Sequence, residues 1–119
     1  MTISVLVVDD DASFAELAER LLADAGLNVI GRADSAGAGV SAAKATKPDA
    51  ILLDVMLPDG DGVALARELA ALPWGPRVLL TSSSADIAAR EEIDRSGAVA
   101  FVPKSELPGA PLERLLGGI

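Results

Sequence analysis

The chain has 119 residues, half of them hydrophobic, with 18 acidic and 10 basic residues and a formal net charge of −8. That length fits one compact domain, and the acidic balance argues against nucleic acid or an anionic membrane as a direct partner, since both need clustered Lys and Arg. With no cysteine and no histidine, disulfides, thiol chemistry, thiolate metal sites and the commonest general base are excluded, so any chemistry rests on carboxylates, hydroxyls and lysine.

The start, MTISVLVV, lacks the basic segment and cleavage pattern of a signal peptide, and no apolar run approaches a membrane span; a cytoplasmic location is the expectation. The first strand is expected over Ile3–Val8 and ends on three consecutive acids, Asp9, Asp10 and Asp11. In the first helix Phe14, Leu17, Leu21 and Ala25 recur at helical spacing, with Glu16, Glu19, Arg20 and Asp24 on the other face. Asp11 begins this helix, where the macrodipole favours an acid, and Gly26 stops it. A second strand, Leu27–Ile30, ends at Gly31 and Arg32. The helix over 35–46 is diluted by Gly37 and Gly39 and ended by Pro48. The third strand, Ala50–Leu53, runs into Asp54.

LPDGDG at 57–62 is turn chemistry; Asp59 and Asp61 are expected to cap or solvate that loop, with Asp61 the N-cap of a helix over Val63–Leu72. A fourth strand, Val78–Leu80, runs into Thr81, and a helix over Ala85–Ser96 is closed by Gly97. The fifth strand, Val99–Val102, leads through Pro103 to Lys104. A short helix over Pro111–Leu116 has proline at its start and Gly117 and Gly118 beyond its end. The strands read as mostly continuous apolar runs, as strands covered on both faces do. Strand–helix alternation five times over predicts right-handed crossovers and a parallel sheet between two helical layers.

In such sheets ligands bind beyond the carboxyl ends of the strands. Asp9 and Asp10, Asp54, Thr81 and Lys104 stand at the ends of the first, third, fourth and fifth strands. Each alone has an ordinary explanation as a turn, cap or surface residue; their joint placement is the stronger signal. Three converging carboxylates form a hard, all-oxygen site suited to Mg²⁺ or Mn²⁺, Lys104 adds a point charge suited to a phosphoryl group, and Thr81 adds a hydroxyl.

VLVVDDD, ILLDVMLPDGDG, VLLTSSS and FVPKSEL resemble, in order and spacing, the receiver domain of bacterial two-component response regulators, over essentially the whole chain. The resemblance implies a flavodoxin-like (βα)5 three-layer α/β sandwich with a five-stranded parallel sheet in the order 2-1-3-4-5, and residues 1–119 as a single receiver domain. It implies Asp54 as phosphoacceptor and a Mg²⁺ (or Mn²⁺) site formed by Asp10, Asp54, Asp9 acting through water, and the backbone carbonyl of Met56. It also implies that Thr81 and Lys104 contact the phosphoryl group and that Phe101 is the aromatic switch residue. The implied partners are a sensor histidine kinase or histidine phosphotransfer protein and a downstream output protein or fused output domain, reached through the fourth helix, fifth strand and fifth helix. A phosphorylation-dependent homodimer is compatible with the resemblance, although no apolar patch in the sequence points to one. Transfer and hydrolysis of the acyl phosphate would be self-catalysed, without conventional enzymatic turnover.

Three departures stand out. Ser105 follows Lys104 where many members have proline, so the family's cis bond is not assumed. Phe101 replaces the frequent tyrosine. Met56 and Ser83 flank the route of water to the phosphoryl group without charge, and Met56 is expected to slow hydrolysis. The alternative is a receiver fold that acts as an interaction module without phosphorylation; the intact set of Asp9, Asp10, Asp54, Thr81 and Lys104 argues against it. A haloacid-dehalogenase-type phosphatase would need an Asp at position 56, and a flavodoxin-like cofactor binder would need a Ser-, Thr- or Gly-rich loop where DDD stands.

Overall fold

The computed structural model describes residues 2–83 and 90–118. Five strands, β1 (Ser4–Val8), β2 (Asn28–Ala33), β3 (Ala50–Asp54), β4 (Arg77–Ser82) and β5 (Ala100–Pro103), form one sheet. Every neighbouring pair is parallel, in the spatial order β2-β1-β3-β4-β5, the flavodoxin-like order expected. Between them run α1 (Ala12–Asp24), α2 (Ala36–Thr46), α3 (Gly62–Ala70), α4 (Arg90–Arg95) and, last, α5 (Leu112–Gly117). A two-residue antiparallel ribbon, Met56–Leu57 with Gly60–Asp61, separates β3 from α3.

The pleat divides the core into two layers. Leu6, Val8, Ile51, Leu53, Val78 and Leu80 face one side, where α2 and α3 pack. Val5, Val7, Ala50, Leu52 and Leu79 face the other, against α1 and α5. All the central residues of β1 and β3 are buried, which explains why those strands read as unbroken apolar runs. Each fully buried Val, Leu or Ile contributes roughly 1.5–3 kcal/mol, so the strands form a stiff base beneath the polar groups at their tips.

Several boundaries differ from expectation. Helix α1 turns Phe14, Ala15, Ala18 and Leu22 inward and leaves Leu17 44% exposed, so the stripe through Leu17, Leu21 and Ala25 is one position off. Small alanines let the helix approach the sheet closely, and their weak hydrophobicity hid the true face. Strand β2 runs on through Gly31 and Arg32 to Ala33. As an edge strand it tolerates an outward Arg32, whose guanidinium pairs with Glu19 at 3.0 Å. After β5 the chain makes an unanticipated 3-10 helix, Lys104–Gly109, before α5, which starts at Leu112. Positions 85–89 of the expected fourth helix lie outside the described residues. Strand β5 is the sheet edge, where Pro103 removes no ladder hydrogen bond. Among the described residues every peptide bond is trans, and no helix is long and apolar enough to cross a membrane.

Candidate functional site

Parallel strands end on one edge of the sheet, and the register decides which tips meet. Val8 pairs with Leu53, so Asp9 and Asp54, each one residue on, emerge side by side. Asp54 in turn pairs with Thr81, and Thr81 with Val102. One carboxylate oxygen from each of Asp9, Asp10 and Asp54 lies within 4.8 Å of the others. Asp9 and Asp54 are buried while Asp10 is exposed, giving the cluster an interior side and an open side. Asp11 stays apart and caps α1, its Oδ1 accepting the Phe14 N–H at 3.2 Å.

The ammonium of Lys104 sits inside this cluster. Its Nζ is 2.8 Å from Asp9 Oδ2 and 3.6 Å from Asp54 Oδ2, and it lies 4.2 Å from the centroid of the Phe14 ring. The aromatic face and the carboxylates thus hold one cation from two sides. Asp9 Oδ1 accepts the Asp11 N–H at 2.8 Å, and Asp9 Oδ2 has no hydrogen bond beyond the ammonium among the described residues. Burial pulls the Lys104 pKa down, but the hydrogen bond and attraction of Asp9, helped by Asp54 and Asp11, outweigh it and the net value is raised. Asp54 is also raised, first by burial and then by the charges of Asp9 and Asp10; the Met56 N–H and Lys104 oppose this only in part. An ionised Asp54 is therefore under-compensated where it stands.

The loop beyond Asp54 is tightly held. The Met56 N–H donates to Asp54 Oδ1 at 3.1 Å, and the Val55 N–H to the Thr81 carbonyl at 2.9 Å. The Gly62 N–H donates to the Val55 carbonyl at 2.9 Å. A Cβ on Gly62 would lie 2.4 Å from Val55 Cα, so the start of α3 can sit on the end of β3 only with glycine there. The Met56 side chain is 60% exposed.

The expected site residues are thus largely brought together: Asp9, Asp10, Asp54 and Lys104 form one cluster, with Met56 bonded to Asp54. Thr81 is buried at the adjacent tip, but its hydroxyl donates to the Val102 carbonyl at 2.7 Å, across to β5. Phe101 is half-buried against the α3 side of the core, in contact with the cluster that contains Ile93. Asp59 and Asp61 stay out of the site, as expected. Asp61 caps α3 through the Val63 N–H at 2.9 Å, and Asp59 accepts the N–H groups of Ala36 and Gly37. Asp34, which a second strand ending at Ile30 leaves away from any strand tip, follows the true end of β2 at Ala33 and joins Asp9, Asp10 and Arg32 around a cavity of about 410 Å³.

The three carboxylates Asp9, Asp10 and Asp54 offer only oxygens, they lie close together, and one side is open to water. That set fits a hard divalent cation, which takes one or two carboxylates and keeps several waters. The chain matches the family described as response regulator receiver domain over residues 5–115. It belongs to that family. The receiver domain is 39% identical over 108 residues to protein-glutamate methylesterase/protein-glutamine glutaminase 4 of Hahella chejuensis, a match covering 88% of this chain and 28% of that protein. The chain therefore spans under a third of the length of that curated relative. Among solved structures it superimposes on the signal receiver domain of the putative response regulator NarL from Mycobacterium tuberculosis with a TM-score of 0.83 and 32% identity, covering 98% of each chain. A response regulator protein from Burkholderia pseudomallei, solved with a phosphorylated aspartic acid, a calcium ion and citrate, aligns with a TM-score of 0.82 and 27% identity, over 95% of this chain and 66% of that one.

Proposed function

We propose that this receiver domain accepts a phosphoryl group on Asp54 from a histidine kinase or phosphotransfer protein and thereby switches the surface formed by α4, β5 and α5. The observation that carries the reading is Asp54 packed against Asp9, Asp10 and Lys104 at one strand edge. Asp10, Asp54 and the Met56 carbonyl, with Asp9 acting through water, would hold Mg²⁺, which when bound supplies charge neutralisation on the phosphoryl oxygens.

The chain's own residues do the rest. A carboxylate oxygen of Asp54 attacks phosphorus, a P–O bond forms, and the P–N bond to the donor histidine breaks with its electron pair left on the imidazole. Little of this is covalent work for the protein, and positioning plus electrostatics dominate. The Met56 N–H fixes the carboxylate by holding Oδ1. Lys104, already 3.6 Å from Oδ2, would pair with a phosphoryl oxygen as a charge-assisted bond. Thr81 would exchange its bond to the Val102 carbonyl for one to the phosphoryl group. That exchange would release a contact to β5 and bias the α4–β5–α5 face and Phe101 towards a second arrangement. Hydrolysis of the acyl phosphate resets the domain. The Burkholderia regulator, with its phosphorylated aspartate and calcium ion, supports the reading by analogy. The output acts through a separate protein or a fused domain.

The test is to incubate the protein with Mg²⁺ and acetyl phosphate and measure intact mass. One added phosphoryl group is expected, absent without Mg²⁺ and absent in Asp54→Ala. No addition to the wild type, or addition that survives Asp54→Ala, overturns the reading in favour of a phosphorylation-independent interaction module.

A further inference from the structure

The first four N–H groups of a helix, counted from the cap residue, have no partner within it. At the start of α2 those of Ala36, Gly37 and Ala38 are satisfied, two of them by a residue from another loop. Ser35 caps in the ordinary way, its Oγ accepting the Ala38 N–H at 3.1 Å. The Ala36 N–H reaches Asp59 Oδ1 at 2.6 Å, and the Gly37 N–H reaches Asp59 Oδ2 at 3.1 Å. These are charge-assisted bonds, and they hold the Asp59 carboxyl below its usual range. The approach is close: a Cβ on Gly60 would lie 3.2 Å from Ala36 Cβ.

Asp59 occupies the turn of the small ribbon in which Met56 pairs with Asp61 and Leu57 with Gly60. The foot of that ribbon is tied to the site, because the Met56 N–H donates to Asp54. Of its residues Leu57 is buried, while Met56, Pro58, Asp59, Gly60 and Asp61 are exposed. Leu57 anchors the base of the ribbon in the core, while its turn, Pro58–Gly60, has little apolar packing to fix where it lies. The helix it grips begins two residues after Asp34, at the tip of β2, and the ribbon leaves the tip of β3. Strand β1, with Asp9 and Asp10, lies between the two. The Asp59 carboxylate thus fastens the loops on either side of the acidic tip to each other.

We infer that Asp59 is a positioning residue of the Asp54 site, holding the Met56 segment in register with the carboxylates by anchoring the ribbon to α2. The inference rests on the phosphoryl-acceptor reading above and extends it to a residue that touches neither the metal position nor the phosphoryl group. Outer residues that orient ligands at metal sites commonly change affinity about tenfold or more, and Met56 would be oriented in that sense.

The experiment measures the Mg²⁺ dissociation constant by calorimetric titration, well below the unfolding temperature, for wild type, Asp59→Ala, Asp59→Asn and Ser35→Ala. Amide exchange at Ala36 and Gly37 is followed in parallel. Asp59→Ala is expected to weaken Mg²⁺ binding about tenfold and to speed exchange at both amides. Asp59→Asn, which keeps an acceptor oxygen, should recover part of the affinity. Ser35→Ala removes a cap from the same helix without touching the ribbon, so it should lower the melting temperature and leave Mg²⁺ binding within about twofold of wild type. Equal Mg²⁺ affinity in wild type and both Asp59 variants, or an equal loss in Ser35→Ala, reduces Asp59 to a helix cap and overturns the inference. Should Asp59→Ala not fold, the Asp59→Asn result decides by the same criteria. A wild type that binds no Mg²⁺ sinks the parent reading instead, and the inference with it.

Discussion

Replacing Gly62 by alanine puts a methyl group where three main-chain atoms already stand: Val55 Cα at 2.4 Å, the Val55 carbonyl oxygen at 2.6 Å and the Asp54 carbonyl oxygen at 2.7 Å. Carbon–carbon contacts are optimal near 3.5–4.0 Å, so relief requires a displacement of about 1 Å. No side chain can rotate away, and the start of α3 and the end of β3 must separate. Overpacking of this kind costs about 1–3 kcal/mol. The Gly62 N–H bond to the Val55 carbonyl, 2.9 Å long, stretches or breaks with it, for about 1 kcal/mol more. A loss of roughly 2–4 kcal/mol lowers the melting temperature of a domain this size by roughly 8–16 °C. The displaced backbone is the one that carries the Asp54 carboxylate, and misplacement by about 1 Å costs on the order of 100-fold in rate. Urea unfolding gives the stability and mass-detected phosphorylation by acetyl phosphate gives the rate. Gly109→Ala, where a Cβ meets nothing within 4 Å, is the control and should be near neutral. A Gly62→Ala protein within about 1 kcal/mol of wild type, or one phosphorylated at the wild-type rate, refutes the reasoning.

Three further substitutions probe the site's electrostatics and water access. Asp54→Asn should stabilise the metal-free domain at neutral pH, because burial and the neighbouring acids raise the Asp54 pKa above the usual 3.8. A folded value above the unfolded one means the charged form weakens the fold, so the gap to wild type should close as pH falls through the folded pKa towards 3.8; urea midpoints at several pH values check this, and a gap that widens in acid contradicts it. Lys104→Met leaves the buried Asp9 carboxylate without its ammonium and should cost about 3 kcal/mol in the absence of metal, with part of the loss recovered on adding Mg²⁺. Because the Lys104 pKa is raised, its contribution is complete below the usual 10.5 and is lost only as pH rises through the higher folded value. Met56→Asn should shorten the lifetime of the acyl phosphate, since it exchanges an exposed apolar side chain next to Asp54 for one that can position water; a longer lifetime in the variant, read by mass decay after donor removal, counts against screening by Met56.

Much of the fold was legible because burial on both faces leaves an unmistakable run of apolar residues. Strands β1, β3 and β4 announce themselves this way, and their polar successors Asp9, Asp54 and Thr81 follow directly. What stayed hidden depends on geometry that a linear pattern does not carry. The inward face of α1 is marked by Ala15 and Ala18, whose role is closeness and not hydrophobicity. Strand β2 is an edge, so Gly31 and Arg32 broke the apolar signal and concealed Asp34. LPDGDG reads as turn chemistry outside the cluster, yet Asp59 meets the N–H groups of residues 22 and 23 positions earlier in the chain. Nothing in LPDGDG names such a partner. The Thr81 hydroxyl presents the same difficulty. Its position at a strand tip is readable, but its bond to the Val102 carbonyl follows only from the pairing of β4 with β5.

The charges at the tip also explain why the site is suited to a divalent cation. Three carboxylates and one ammonium leave two negative charges uncompensated. Lys104 reaches Asp9 at 2.8 Å but Asp54 only at 3.6 Å, so the compensation it gives is uneven and falls mostly on Asp9. Burial, and then the neighbouring acids, disfavour the ionised form of Asp54, and the fold absorbs that cost through the buried apolar strands below. One divalent cation cancels the remaining two charges. Binding only the native state, it would stabilise the domain by RT ln(1 + [L]/Kd), about 2.7 kcal/mol at a hundredfold excess over Kd. Asp10→Ala removes the exposed carboxylate of the cluster and one of the charges, and so should abolish most of that stabilisation while leaving the Lys104–Asp9 pair in place. The same loss of Mg²⁺ stabilisation in a variant remote from the tip, such as one at the Asp49–Ser4 hydrogen bonds of the opposite sheet edge, would show instead that the ion acts on the fold at large and not at these three carboxylates.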